Sequence, residues 1–202
     1  SVDDQRPAGL ADVQPGEVDL IVVSTATLAL QRQIVARDLP LVVEALADVL
    51  PRPPKVALLK GWHNYVCRHK LTGGYPVDEP VGLFEAPRGE DHPAGTEDRS
   101  PLGEAVLRVR AWAEETGTGD RDDLVPGVPD RAWRQVSVTA LECLGPGCPM
   151  RSECFPEQAR EEARAADVVV TNHAMLGIAA SGSPGVLPEH QAIVVDEAHE
   201  LT

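Results

Sequence analysis

Short apolar runs recur along the chain and have the length and composition of buried strands. They are Val18–Ser24, Asp167–Thr171 and Ala192–Val195, with Val56–Leu59 as a candidate fourth. Strands that are covered on both faces, as in parallel sheets, are apolar nearly throughout. Because stretches with helical spacing separate these runs, the pattern predicts an α/β fold built on a parallel sheet.

Apolar residues at helical spacing predict helices between and after these strands. The helical stretches are Leu28–Asp38, a second that starts at Pro40, Gly103–Glu115, a short one around Trp133, Pro156–Ala165, and Asn172–Ala180, which Asn172 would cap. Two stretches, 1–17 and the acidic one near 73–101, are rich in Gly and Pro and have no apolar period. We predict that the first is flexible and that the second is a disordered loop.

The chain therefore divides into four predicted segments. Residues 1–17 are the flexible N-terminal segment, and 18–60 are the first part of the sheet domain. Residues 61–156 are mainly helical, and 157–202 return to the strand-helix pattern. Since the strands on either side fit one sheet, we interpret 61–156 as an inserted subdomain.

The cysteines point to a metal centre in this subdomain. Cys143, Cys148 and Cys154 lie close together in the chain, and Cys67 lies far upstream. Four thiolates are the number that an iron–sulfur cluster or a tetrahedral zinc takes. One distant cysteine with an uneven trio favours a cubane cluster over zinc, which usually takes paired knuckles. Two disulfides, or four unrelated buried thiols, are the alternatives.

A second chemical motif follows the last predicted strand. The string Asp196-Glu197-Ala198-His199 places two carboxylates at the carboxyl edge of a parallel sheet, where such folds bind ligands. For phosphoryl transfer to water, Asp196 would hold Mg²⁺ and Glu197 would orient or deprotonate the water. An acidic turn after a strand is the alternative.

Composition and charge limit the partners. The chain of 202 residues has a formal net charge of −14, which argues against a broad nucleic-acid-binding face. Its three lysines, Lys55, Lys60 and Lys70, all flank Cys67. No apolar run is long enough to span a membrane, so we predict a cytoplasmic protein without a membrane partner.

Taken together, these motifs resemble the DinG/XPD-like family of iron–sulfur superfamily 2 DNA helicases, nearest the bacterial DinG type. The similar segments, in family order, are Val22–Thr27 with Leu30-Gln31 (motif Ia), Lys60-Gly61 with Asn64–Cys67, the trio of Cys143, Cys148 and Cys154, Ala166–Leu176, and Val194–Leu201 (motif II). The resemblance implies a RecA-like motor domain, here 18–60 with 157–202, interrupted at 61–156 by a domain that holds a 4Fe-4S cluster on the four cysteines.

The resemblance also implies an ATP-dependent 5′-to-3′ DNA helicase of DNA repair or replication. Its cofactors would be the 4Fe-4S cluster and ATP with Mg²⁺, and its partners ATP and single-stranded or forked DNA, with the protein acting as a monomer. Asp196 would coordinate Mg²⁺, Glu197 would activate water, and His199 would couple the ATP state to the DNA-binding side.

Six side chains are candidates for DNA contact by the same resemblance. Ser24, Thr25 and Thr27 would lie near the DNA backbone, where hydroxyls suit phosphate oxygens; helix capping is the alternative. Tyr65, Arg68 and Lys70, together with His69, would meet single-stranded DNA by stacking and charge; a solvated surface is the alternative. We interpret Asn172 and His173 as structural.

The chain departs from the family in one motif. It contains no Gly-x4-Gly-Lys-Ser/Thr (Walker A) loop, and it ends three residues after His199. We therefore expect a central fragment of the first motor domain that does not hydrolyse ATP by itself. The alternatives are a metal-stabilised nucleic-acid-binding module without ATPase activity, and a zinc-structured interaction protein.

Overall fold

The structure is a computed structural model that describes residues 20–75, 101–183 and 185–201. The predicted flexible segment 1–17 and most of the acidic loop near 73–101 lie outside the described residues. The chain divides into two compact units. Unit 1 comprises the chain up to Leu58 and from Ala163 onward, and unit 2 comprises Leu59–Glu162.

Unit 1 is built on a parallel sheet, so the predicted α/β fold is confirmed. Its strands are β1 (Ile21–Thr25), β2 (Val56–Leu58), β3 (Val168–Asn172) and β4 (Ala192–Val195), in the order β2-β3-β1-β4. All three described pairings are parallel. The central strands β3 and β1 are the most buried, as expected for strands with neighbours on both sides.

The helices of unit 1 start at the carboxyl ends of strands. Helix α1 (Leu28–Gln33) follows β1, and α2 (Leu39–Ala45) follows α1 through a π-helical turn, Ile34–Asp38. The predicted break at Pro40 is thus a change of helix type within one helical segment, because proline has no N–H for the α-helical hydrogen bond. Helix α7 (His173–Ala180) follows β3.

Unit 2 is mainly helical and has its own apolar core. Its helices are α3 (Arg68–Leu71), α4 (Pro101–Glu115), α5 (Asp130–Arg134) and α6 (Phe155–Arg164), the last of which ends just beyond the unit boundary. Buried side chains from these helices and their loops form the core: Tyr65, Val66, Val109, Ala113, Leu124, Val128, Ala132, Trp133, Val136 and Phe155.

Lys60 and Gly119 each make a close contact within unit 2. Lys60 is fully buried and forms ion pairs with Asp120 and, at 2.9 Å, with Asp122. Gly119 has φ +61°, and a Cβ there would lie 2.3 Å from the Phe155 ring, so only glycine fits.

Within the described residues, no helix has the length and apolarity needed to cross a membrane.

Candidate functional sites

The carboxyl edge of the sheet brings the motif II carboxylate against β1. The Thr25 hydroxyl donates to Asp196 Oδ2 over 3.2 Å, and the Asp196 backbone N–H donates to the Ser24 carbonyl over 2.8 Å. Ser24 pairs with Val195, the last residue of β4, so both contacts extend the β1–β4 pairing by one residue. Strand topology therefore fixes the position of Asp196.

The neighbouring strand end adds a histidine to this edge. His173 Nδ1 lies 2.8 Å from Ser24 Oγ, and His173 Nε2 is buried without a hydrogen-bond partner among the residues that the structure describes. The Asn172 side chain accepts the Met175 backbone N–H over 3.0 Å, which is the predicted helix cap. His173 is thus positioned by its place at the start of α7 and by its hydrogen bond to Ser24 of β1.

Glu197 adopts a strained backbone conformation. Its φ of 52° and ψ of 45° lie in the left-handed region, and among the non-glycine residues in the described ranges it alone has a positive φ. Such a conformation costs on the order of 1–3 kcal/mol and is often found at functional sites. His199 lies beside it, with Nδ1 3.4 Å from Glu197 Oε2 and Nε2 3.4 Å from Glu200 Oε1.

A cleft of about 350 Å³ opens beside these residues in unit 1. It is lined by Ala26, Thr27, Leu30, His173, Glu197 and Glu200. The β1–α1 turn, the start of α7 and the turn after β4 therefore share one concave surface. Ligands of parallel α/β sheets bind in such crevices outside the carboxyl ends of the strands.

All four cysteines belong to unit 2, and none of them forms a disulfide. Each is partly buried. Cys67 and Cys154 stand immediately before α3 and α6, and backbone N–H groups in the first turns of these helices partly offset the raised pKa of the two thiols. Cys143 Sγ accepts the Gly145 N–H at 3.4 Å. Such N–H groups stabilise thiolates and are common around iron–sulfur clusters.

The pKa values of two of the four thiols, Cys67 and Cys154, are raised. Burial is the main cause of the raised pKa of Cys67, and Cys148 and Cys143 add to it. Burial likewise raises the pKa of Cys154 to about 11, with contributions from Cys143 and Cys67. Without a bound cation the thiols of Cys67 and Cys154 resist ionisation, so a metal that took them as thiolates would release protons.

Among the described residues, no three His, Cys, Asp or Glu side chains converge closely enough to hold one metal ion. The four thiols are by their chemistry a donor set that either an iron–sulfur cluster or zinc takes. Which of the two they bind stays a prediction.

The structure gives most of the DNA-contact candidates internal partners. Ser24 and Thr25 are fully buried, and Tyr65 is buried with its hydroxyl accepting the Lys60 N–H. Lys70 Nζ donates to two carbonyls, and the Arg68 guanidinium lies 4.7 Å above the Phe155 ring. Thr27 is exposed, and its hydroxyl caps α1. Contact with DNA by any of the six stays a prediction.

Two residues near the cysteines were not predicted from the sequence. Tyr75 donates its hydroxyl to the Glu142 carbonyl, and its pKa is raised by burial and then by Cys67 and Cys143. Phe155 directly follows Cys154 and carries Arg68 on its ring. The position of Phe155 next to a cysteine was a signal for it, whereas Tyr75 has no comparable signal.

Comparison with known proteins agrees with the predicted resemblance. The chain is 55% identical over 184 residues to the ATP-dependent helicase DinG of Mycobacterium tuberculosis (strain H37Rv), covering 90% of this chain and 27% of that protein. It is 37% identical over 191 residues to the ATP-dependent DNA helicase YoaA of Escherichia coli K12, with 90% and 26% covered. It is 33% identical over 186 residues to the ATP-dependent DNA helicase DinG of Photobacterium profundum, and the match covers 90% of this chain and 25% of that protein.

These comparisons confirm the resemblance to DinG-type helicases over most of the chain. The chain spans about a quarter of the length of the curated relatives it matches. No family model matches it.

Proposed function

With this kinship as the premise, we propose that the chain is the central part of the first motor domain of an ATP-dependent DNA helicase of the DinG type. The observation that carries the proposal is the 55% identity over 90% of the chain to a protein named as such a helicase. The parallel sheet that presents Asp196 at its carboxyl edge supports it independently. Translocation in the 5′-to-3′ direction is part of the proposal by resemblance.

In the proposed ATPase site, the turn after β4 supplies the reacting groups. Asp196 would hold Mg²⁺, which neutralises phosphate charge when it is bound. The Glu197 carboxylate would accept a proton from the attacking water, and it lines the cleft at the carboxyl edge of the sheet. His199 contacts both Glu197 and Glu200, which suits it to report the state of this site to neighbouring elements.

In unit 2, the proposal assigns a 4Fe-4S cluster to Cys67, Cys143, Cys148 and Cys154. The support is the chemistry of the donor set: four free thiols, of which Cys67 and Cys154 have a raised pKa to which other thiols of the set contribute, and Cys143 accepts a backbone N–H. When bound, the cluster would cross-link the α3 start, the 143–148 loop and the α6 start. Its place in strand separation follows from the resemblance alone.

The proposed partners are ATP and single-stranded or forked DNA, bound by a monomer in the cytoplasm. Of the hydroxyls in motif Ia, Thr27 is the one that is exposed and therefore suited to touch a DNA phosphate. The charge of −14 limits this contact to local surface, since a broad basic face is missing from the composition.

ATP hydrolysis by the full-length protein tests the helicase proposal. We expect hydrolysis that single-stranded DNA stimulates, and unwinding of a forked duplex with a 5′ single-stranded arm. Glu197→Gln should lower the hydrolysis rate by at least about 100-fold while ATP binding persists, because it removes the proton acceptor. Glu189→Gln, an exposed change outside the site, should leave the rate unchanged. DNA binding without any hydrolysis would favour the binding-module alternative instead.

Anaerobic purification tests the cluster. A brown protein with about four irons per chain would support it. A colourless protein with one zinc per chain would contradict it and favour the zinc-structured alternative.

A further inference from the structure

Thr25 is a buried hydroxyl bound to a carboxylate that the proposed function places on the metal. It is the last residue of β1, it is fully buried, and its Oγ1 donates to Asp196 Oδ2 over 3.2 Å. These two residues lie 171 positions apart in the chain, so the contact depends on the pairing of β1 with β4.

The contact restricts how the carboxylate can rotate. The Asp196 backbone is already held by its N–H bond to the Ser24 carbonyl at 2.8 Å. With the backbone fixed and Oδ2 engaged by Thr25, the plane of the carboxylate is set, and Oδ1 is presented in one direction. Hydrogen bonds of this kind orient metal-binding carboxylates, and their loss typically weakens metal affinity 10–100-fold, to order of magnitude.

The residue type suits this task. A β-branched threonine on a strand has a restricted χ1, so its hydroxyl is held in place without help from solvent. A side chain that is fully buried has no surface left for a DNA phosphate. Thr27, two residues later and exposed, remains in position for such a contact.

We propose that Thr25 is a positioning residue for Asp196, and that β1 thereby joins the metal-binding carboxylate to the α1 start at Thr27. This inference rests on the proposed ATPase function, because that function supplies the metal that Asp196 would hold. The hydrogen bond between Thr25 and Asp196 is independent of the proposed function. Thr25 then acts on the nucleotide side of the motor, whereas Thr27 faces outward.

Divalent-metal binding by the full-length protein tests the proposal. The probe is Mn²⁺ measured by electron paramagnetic resonance in the presence of a non-hydrolysable ATP analogue. Thr25→Val keeps the shape and removes the hydroxyl, and we expect it to weaken Mn²⁺ binding about 10-fold or more. Thr25→Ser should restore most of the affinity. Thr171→Val is the matched control. Thr171 is as buried as Thr25 and pairs with Ser24 across β3 and β1, and its replacement should leave Mn²⁺ affinity unchanged.

A double-mutant cycle in urea separates this proposal from the ATPase proposal. Thr25→Val and Asp196→Ala should shift the unfolding midpoint of the full-length protein by less together than the sum of their single shifts. Additive shifts of the unfolding midpoint would overturn the positioning role, whatever Mn²⁺ affinity is measured with the nucleotide. The role would also be overturned if Thr25→Val bound Mn²⁺ as tightly as the wild type but bound DNA more weakly. A wild-type protein that binds no Mn²⁺ with nucleotide, yet shows non-additive shifts, would instead count against the ATPase proposal and leave the Thr25–Asp196 contact established.

Discussion

The candidate ligand groups of unit 1 stand at strand ends, whereas those of unit 2 stand in loops around a small apolar core. In unit 1, Asp196 is held by the sheet itself, through Ser24 and Thr25. In unit 2, Cys67 is tied to the core by its N–H bond to the Val136 carbonyl at 2.7 Å. The segment with Cys143 and Cys148 has only short 3₁₀ turns.

This difference predicts different needs for a bound group. The sheet edge is complete from backbone pairing and side-chain hydrogen bonds, so it should keep its shape when it is empty. The cysteine site includes two thiols, Cys67 and Cys154, whose burial opposes ionisation, so a bound metal that holds them as thiolates should stabilise it. Unit 1 should therefore tolerate ligand loss, and unit 2 should loosen.

Removal of one cysteine is expected to give the largest difference between the two units. Cys148→Ser should reduce iron from about four per chain to nearly none and loosen unit 2, while the sheet of unit 1 stays folded. Because Trp62, Trp112 and Trp133 all lie in unit 2, tryptophan fluorescence reports on that unit, and far-ultraviolet circular dichroism reports on both.

A serine in the same loop provides the control for this change. Ser152→Ala is exposed and should leave both iron content and fluorescence as in the wild type. Full iron retention in Cys148→Ser would remove Cys148 from the ligand set.

The buried lysine gives the next largest effect. Lys60→Met leaves Asp120 without its ion-pair partner inside unit 2, and a broken buried pair typically costs about 3–5 kcal/mol. The free energy of unfolding from tryptophan fluorescence in urea should fall by about that amount. Lys55→Met, the same change at an exposed lysine of unit 1, should alter it little. Equal effects of the two variants would show that the Lys60 ion pairs contribute nothing specific.

The sequence predicted the sheet edge better than it predicted the packing behind it. The bounds of β4 and the cap at Asn172 were predicted from local pattern, and the structure confirms both. The burial of Thr25 and of Lys60 was not predictable, because their partners are distant in sequence and meet them only through tertiary structure. A single sequence gives the polarity of each residue but not the pairing of remote segments.

The same limit applies to the cysteines. Their number and spacing predicted a shared ligand, which stays a prediction; the structure places all four in unit 2, where other thiols contribute to the raised pKa of Cys67 and Cys154. The influence of Cys67 and Cys143 on the pKa of Tyr75 was not predictable, since the ring reaches this site through the fold and not through a motif.

Alkaline pH should distinguish metal-free from loaded unit 2. Burial raises the pKa of Cys154 from 9.0 to about 11, so the metal-free fold is stabilised fully below pH 9 and loses this contribution as the pH rises through 11. We expect a loss of roughly 1–2 kcal/mol, allowing for partial solvent exposure of the thiol. Urea midpoints by tryptophan fluorescence should show it. The loaded protein should not show this step, because metal-bound thiolates carry no proton in this range. A metal-free Cys154→Ala variant that keeps the full step would contradict the assignment to this thiol.

Acid pH should produce the smallest effect, and in unit 1. The Arg52 guanidinium, 46% exposed, donates to Asp167 at 2.5 Å and lowers the pKa of that carboxyl below 3.8, with the Lys55 N–H adding to the shift. A lowered pKa stabilises the fold above pH 3.8, and the contribution is lost as the pH falls through the folded value. Arg52→Met should therefore speed amide exchange at Val168 slightly near neutral pH and make no difference in strong acid. Since an exposed pair contributes little, the change should be well below that of Lys60→Met. A larger change would mean that unit 1, like unit 2, depends on a single ion pair.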